Sequence, residues 1–117
     1  MRSVIWVGTS QDDVKAFPDE VRRQIGFALY LAQSGEKHRD AKPLKGFGGA
    51  SVLEIVEDFE SDTYRAVYTV RLQAGIYVLH AFQKKSTRGI KTSKRDLDLI
   101  AQRLKDAIRY DKERSEN

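Results

Sequence analysis

Between Ser51 and Phe82 the chain makes three apolar, β-branched runs with very little between them. Ser51 to Val56 carries Val52, Leu53, Ile55 and Val56, Thr63 to Arg71 reads TYRAVYTVR, and Ile76 to Phe82 reads IYVLHAF. The turns between them are Ser61-Asp62 and Gln73-Ala74-Gly75. Runs of this kind joined by short connections predict an antiparallel meander. The third run is apolar on both faces, the pattern of an interior strand.

What flanks the meander completes the fold class. Ser3 to Val7 (SVIWV) predicts a first strand, broken by Gly8-Thr9-Ser10. Ser10 with Asp13 three residues later resembles a capping box and opens a short helix through Ala16. After Phe17-Pro18, Asp19 and Glu20 suit the positive end of a helix dipole. Val21, Ile25, Ala28, Leu29 and Ala32 then recur at helical spacing until Ser34-Gly35 stops the helix. Residues 36–50 are polar and glycine-rich and predict a loop. From about Lys94 to Lys112, Leu97, Ile100, Ala101, Leu104 and Ile108 form one stripe, with Asp96, Asp98, Arg103, Lys105 and Asp106 facing away. The expectation is an α+β domain: an antiparallel sheet of about four strands, two N-terminal helices and a C-terminal helix, with the helices on one sheet face.

At 117 residues the whole of 1–117 is expected to be a single domain. The chain has no cysteine, which excludes disulfides, thiolate metal sites and a thiol nucleophile. MRSVIWVG is too short an apolar run for a signal peptide and nothing approaches a membrane span, so a cytoplasmic protein without membrane contact is expected. The net charge of +4 is modest, but its distribution is uneven. Glu54 to Asp62 holds five acids and no base, whereas Lys84, Lys85, Arg88, Lys91, Lys94 and Arg95 follow one another without an acid. An acidic and a basic lobe on one small domain fit a polyanion such as nucleic acid, while the plainer reading is two solvated turns.

The chemistry is narrowed by what is missing. No phosphate-binding GxxxxGK[ST], dinucleotide GxGxxG, zinc HExxH or nucleophile GxSxG is present. The two histidines, His38 and His80, lie in separate segments, so no histidine metal cluster is expected; His38 and Arg39 read as loop surface. Arg, Lys, Tyr, His and Glu remain, a set suited to RNA cleavage by the 2′-hydroxyl without cofactor or metal. Such a site needs fixed cations on the phosphate together with a proton acceptor and a donor. Arg65, inside a strand between Tyr64 and Ala66, needs a reason to be there; the alternative is a surface cation paired with the acidic turn. At most one of Lys84 and Lys85 shares a face with a given strand residue. His80 in LHAF reads equally as a satisfied core histidine.

Several segments, in order, resemble the RelE/ParE superfamily of toxins from bacterial toxin–antitoxin modules, and within it the phage-derived HigB-type branch. VKAFPDEVRRQIGFALYLAQSGE is similar to that branch's paired helices, and KPLKGFGGASVLEIVED to its lysine loop and glutamate-bearing strand. YRAVYTV, IYVLHAFQKKS and TSKRDLDLIAQRLKDA are similar to its Y-R-x-x-Y strand, L-H-x-F-x-K-K signature and closing helix. The resemblance implies a small basic endoribonuclease that enters the ribosome and cuts messenger RNA, partnered by a helix-turn-helix antitoxin. It implies Arg65 at the scissile phosphate, with Lys85 and Lys84 as the cations ending the last strand. Lys45 is placed in the loop ahead of the lysine-bearing strand. The family's nucleases often carry basic residues where this chain has Glu54 and Glu57, which leaves Glu54 and His80 as alternatives for the base. Thr92-Ser93 stands where the branch usually has Thr-Pro, and serine caps a helix well. The stretch with Arg88, Lys91, Lys94 and Arg95 becomes the surface that meets RNA backbone. Two rival readings stay open: a gyrase-inhibiting toxin on the same fold, and a non-catalytic phage-derived nucleic-acid-binding protein.

Overall fold

A computed structural model describes residues 1–49, 51–85 and 92–115. The order of elements is β1 (Ser3–Trp6), α1 (Ser10–Lys15), α2 (Asp19–Gln33), β2 (Ala41–Pro43), β3 (Val52–Phe59), β4 (Asp62–Thr69), β5 (Gly75–Lys84) and α3 (Lys94–Ser115). The fold is α+β, and the meander of β3, β4 and β5 is antiparallel as expected. The sheet is nevertheless larger and mixed, with five strands in the order β1-β5-β4-β3-β2 and β1 running parallel to β5. The extra strand, β2, lies in the segment read as loop. Only three residues long and ending in proline, it pairs antiparallel with β3 at the sheet edge, where a missing N–H is tolerated.

The helices occupy both faces of the sheet, not one. Val14 and Phe17 together with Val21, Ile25, Leu29 and Ala32 of α2 pack on Leu53, Ile55, Ala66, Tyr68, Ile76 and Val78. Ile100, Leu104 and Ala107 of α3 pack on the opposite face, against Val52, Val67, Tyr77 and Leu79. Strand alternation requires this, because β4 and β5 are apolar on both faces and each face needs a cover. Among the described residues no helix is long and apolar enough to cross a membrane.

Local chemistry departs from the simplest reading in several places. The β3–β4 hairpin turns on Glu60 and Ser61, both at positive φ, the two-residue geometry that matches strand twist. Thr9, not Ser10, precedes α1 and bonds Asp13, while the buried Ser10 hydroxyl donates to the Val78 carbonyl. Ile108, placed on the apolar stripe of α3, is 49% exposed, and the buried position one turn on is Asp111. Gly75 is required by close approach: a Cβ there would collide with the Ser3 carbonyl of the parallel neighbour. Gly75→Ala is expected to cost about 1–3 kcal/mol, as overpacking does, read as a lowered thermal midpoint.

One irregularity controls the site. Val67 pairs with His80 but Tyr68 pairs with Val78, so Leu79 is an extra residue in β5. Tyr77 and Leu79 already face α3. Regular alternation would send His80 to the α2 side. The bulge instead returns His80, Phe82 and Lys84 to the α3 side. The Leu79 carbonyl accepts a hydrogen bond from Arg103 (2.9 Å), so the disrupted ladder leaves it satisfied. Arg103 was expected to face away from the core; its guanidinium instead lies against Gly8, where any side chain would strike it.

Candidate functional site

The register of β2 to β5 sets two rows of side chains on the α3 face. Lys42, Glu54, Val67 and His80 follow one another across the sheet, and Val56, Arg65 and Phe82 form the adjacent row. Where α3 begins, these rows are only partly covered. The opening is a groove of about 430 Å³ lined by Lys42, Leu44, Lys45, Glu54, Arg65, Thr92 and Leu97.

Arg65 forms the floor and is 8% exposed. Its Nη1 donates to Glu54 Oε2 at 3.1 Å and to the Thr92 hydroxyl at 3.4 Å. Glu54 is itself buried and has a second cation, Lys42, at 3.8 Å. One carboxylate therefore lies between two cations. The sequence offered ion pairing with the acidic turn as the alternative for Arg65. The arginine is indeed paired, but with the first acid of that run and inside the fold.

A second cluster stands at the start of α3. Ser93 caps the helix by accepting from the Asp96 N–H (3.1 Å), and its hydroxyl donates to the Asp96 carboxylate (2.7 Å), a capping box closed by aspartate. The same carboxylate holds His80 Nε2 at 2.9 Å and Lys84 Nζ at 3.3 Å. Burial pushes the Asp96 carboxyl up, but His80, Ser93 and Lys84 together hold it below the ordinary range. His80 stacks on Phe82 with ring centroids 4.8 Å apart, and Lys84 lies over the same ring. Arg103 Nη1 is 3.5 Å from His80 Nδ1, so that nitrogen faces a donor and the proton belongs on Nε2, toward Asp96.

Glu54, Arg65, His80 and Lys84 thus share one face, and Lys45 lines the same groove. Lys85 does not join them: it lies just past the end of β5 and is exposed. Lys94 is exposed and pairs along the helix with Asp98, and Arg95 is exposed beside it. Arg88 and Lys91 lie outside the described residues. Sequence reading missed Lys42, Asp96 and Arg103. The S-x-x-D pattern of Ser93 and Asp96 could have found Asp96; Lys42 shows only once β2 is known to be a strand.

His38, read as loop surface, is buried on the opposite sheet face. Its Nε2 meets Gln24 Oε1 and its Nδ1 accepts the Asp40 N–H, both at 3.0 Å. Among the described residues His38, Asp40 and Glu57 are the one group with metal-like spacing. Burial and then Asp40 push the Glu57 carboxyl up to about 7. Both histidine nitrogens are already engaged.

The profile of a family described as "Phage derived protein Gp49-like (DUF891)" matches residues 12–105, from α1 through most of α3. Curated proteins gave no match to the chain.

Proposed function

The chain belongs to the Gp49-like family of phage-derived proteins, and from that premise we propose that it is a toxin of the RelE/HigB kind, cutting messenger RNA on the ribosome. The observation that carries this reading is the buried Arg65 at the floor of an open groove, with Glu54 at 3.1 Å and Lys42 and Lys45 around it. A buried guanidinium that opens to solvent on one side is suited to a phosphate, which it can grip with two parallel hydrogen bonds.

In the proposed reaction the scissile phosphate takes Arg65 over from Glu54, and the released carboxylate accepts the 2′-hydroxyl proton. The 2′-oxygen forms its bond to phosphorus as the bond to the 5′-oxygen breaks. A proton from Lys45 in the groove, or from Lys84 on the same sheet face, goes to the leaving oxygen, giving a 2′,3′-cyclic phosphate and a 5′-hydroxyl. Arg65 and Lys42 hold the charge that accumulates on the phosphoryl oxygens. No step calls for a metal ion. Of the two residues weighed as base, Glu54 suits the geometry better, because His80 is hydrogen-bonded through Nε2 to Asp96 and turns Nδ1 toward Arg103. His80 then serves to position Asp96 and Lys84. An antitoxin with a helix-turn-helix is the partner this reading expects.

Induced expression in bacteria with mapping of messenger RNA 5′ ends tests the proposal. New in-frame cuts accompanying growth arrest are the expected result. Arrest without cuts transfers the target to gyrase or another machine, and neither arrest nor cuts leaves a non-catalytic phage-derived protein. Glu54→Gln is expected to lower single-turnover cleavage about 10²- to 10⁴-fold while RNA binding is kept or tightened, since the competing negative charge is gone. Undiminished cleavage by this variant would remove Glu54 from the mechanism.

A further inference from the structure

The chain entering α3 forms one wall of the Arg65 groove, giving it Thr92 just ahead of the helix and Leu97 in the first turn. Asp96 fastens that wall to the sheet. Its carboxylate takes the Ser93 hydroxyl at 2.7 Å, His80 Nε2 at 2.9 Å and Lys84 Nζ at 3.3 Å. One side chain thus ties the entry of the helix to two positions of β5. A helix cap needs much less than this. Ser93 caps α3 through the Asp96 N–H, and the acid of a capping box has only to reach back over its own first turn. Asp96 reaches across to the strand as well.

The wall matters because of what it holds against Arg65. Nη1 of a guanidinium carries two protons. One is directed to Glu54 Oε2 at 3.1 Å and the other to the Thr92 hydroxyl at 3.4 Å. When the scissile phosphate takes the place of Glu54, it needs only the first of these. Thr92 does not compete with the phosphate, so it remains a partner of the guanidinium while the groove changes its occupant. At 3.4 Å the contact is long, and hydrogen bonds of this kind commonly tighten only once the substrate is bound. A guanidinium free to swing loses its aligned grip on the phosphate, and a misplacement of about 1 Å can cost about 10²-fold in rate.

We propose that Asp96 and Thr92 are positioning residues for the cleavage. Asp96 fixes the start of α3 on β5, and Thr92, held there, keeps the Arg65 guanidinium aimed after the phosphate has displaced Glu54. Neither residue touches the reacting atoms. Lys84 is drawn to the same carboxylate, so the same anchor fixes it on the working face. The inference rests on the nuclease reading and adds to it the device that keeps its central cation in place.

Single-turnover cleavage of a defined messenger RNA on bacterial ribosomes tests it, with ribosome binding and the thermal midpoint measured for each protein. Thr92→Val removes the hydroxyl and keeps the branched shape. It should fold and bind as the wild type does yet cleave about tenfold more slowly, the effect of one lost hydrogen bond to a charged group. Thr92→Ser should recover most of that rate. Asp96→Ala should lower the rate about 10²-fold. Because Asp96 acts through Thr92, adding Thr92→Val to Asp96→Ala should cost little more. A merely structural Asp96 would lower the thermal midpoint and leave the two losses in rate additive. Full-rate cleavage by Thr92→Val, equal losses for Thr92→Val and Thr92→Ser, or additive losses in the double variant would overturn the inference and leave the nuclease reading standing. A wild-type protein that cuts no RNA on the ribosome would overturn both.

Discussion

Arg65→Ala is expected to abolish messenger RNA cleavage, with a loss of about 10³-fold or more in single-turnover rate and full relief of growth arrest. The side chain is the deepest cation of the groove, and removing it takes away the group best placed to hold charge on the phosphoryl oxygens. The substitution also breaks a buried ion pair, which by itself costs about 3–5 kcal/mol when the remaining partner stays buried. Activity and folding must therefore be read separately. Arg65→Lys keeps a positive charge for Glu54 and should hold the fold, yet it replaces a planar fork with a point charge. Near-normal thermal stability with cleavage lowered by at least about tenfold is the expected outcome for Arg65→Lys. Full cleavage by a folded Arg65→Ala protein would place the chemistry elsewhere.

Asp111→Ala is expected to act on stability alone, and strongly. The Asp111 carboxylate accepts from the Gln73 N–H at 2.9 Å, the Ala74 N–H at 2.6 Å and the Tyr77 hydroxyl at 3.0 Å. It ties the end of α3 to the β4–β5 turn, whose Val70, Leu72 and Gly75 carbonyls are gathered by Arg2 from the other side. Losing the carboxylate strands three donors, at roughly 3–5 kcal/mol in all. In a domain of this size each kcal/mol lowers the thermal midpoint by about 4–8 °C or somewhat less. A fall of more than about 10 °C is expected, with Asp111→Asn between the variant and wild type. Burial raises the Asp111 carboxyl, but the Ala74, Gln73 and Tyr77 hydrogen bonds and the Arg2 charge outweigh it and hold it below the ordinary aspartate value. Its contribution is thus complete above about pH 4, the unfolded range, and is lost as the pH falls through the lower folded value. Acid unfolding of Asp111→Asn should lack that part of the pH dependence. Parallel acid curves for the two proteins would show that Asp111 does not carry it.

Elements held together by local pattern were readable in advance. The meander, the helical spacing of Val21, Ile25 and Leu29, and the serine cap before α3 all express contacts between near neighbours. What escaped depends on partners far away in the chain. β2 has no alternation of its own and becomes a strand only because Glu54 and Ile55 lie beside it. β1 could be recognised as a strand, but its parallel partner is Gly75 to Val78. The helices divide between the two faces because β4 and β5 both need two covers, a property of the assembled sheet. Of the site, Arg65 stood out because a strand interior seldom holds a cation without cause. Asp96 and Arg103 were misread because a charged residue on an amphipathic helix normally faces solvent. Both turn inward to satisfy groups that exist only after the sheet has formed: a histidine on β5 and the Leu79 carbonyl.

Changes of length within β5 are not equivalent, and the extra residue at Leu79 determines which can be tolerated. An insertion or deletion of one residue normally exchanges the faces of everything downstream in a strand. Here one such insertion is already absorbed. Excising Leu79 would restore an uninterrupted ladder and leave His80, Phe82 and Lys84 in phase with Arg65, at the expense of the carbonyl that Arg103 caps. Excising Ala81 would throw Phe82 and Lys84 out of phase and present Gln83 and Lys85 in their place. Homologous chains can therefore differ by one residue before the histidine and keep the same working face, whereas a difference of one residue after it changes which lysine that face presents to Asp96.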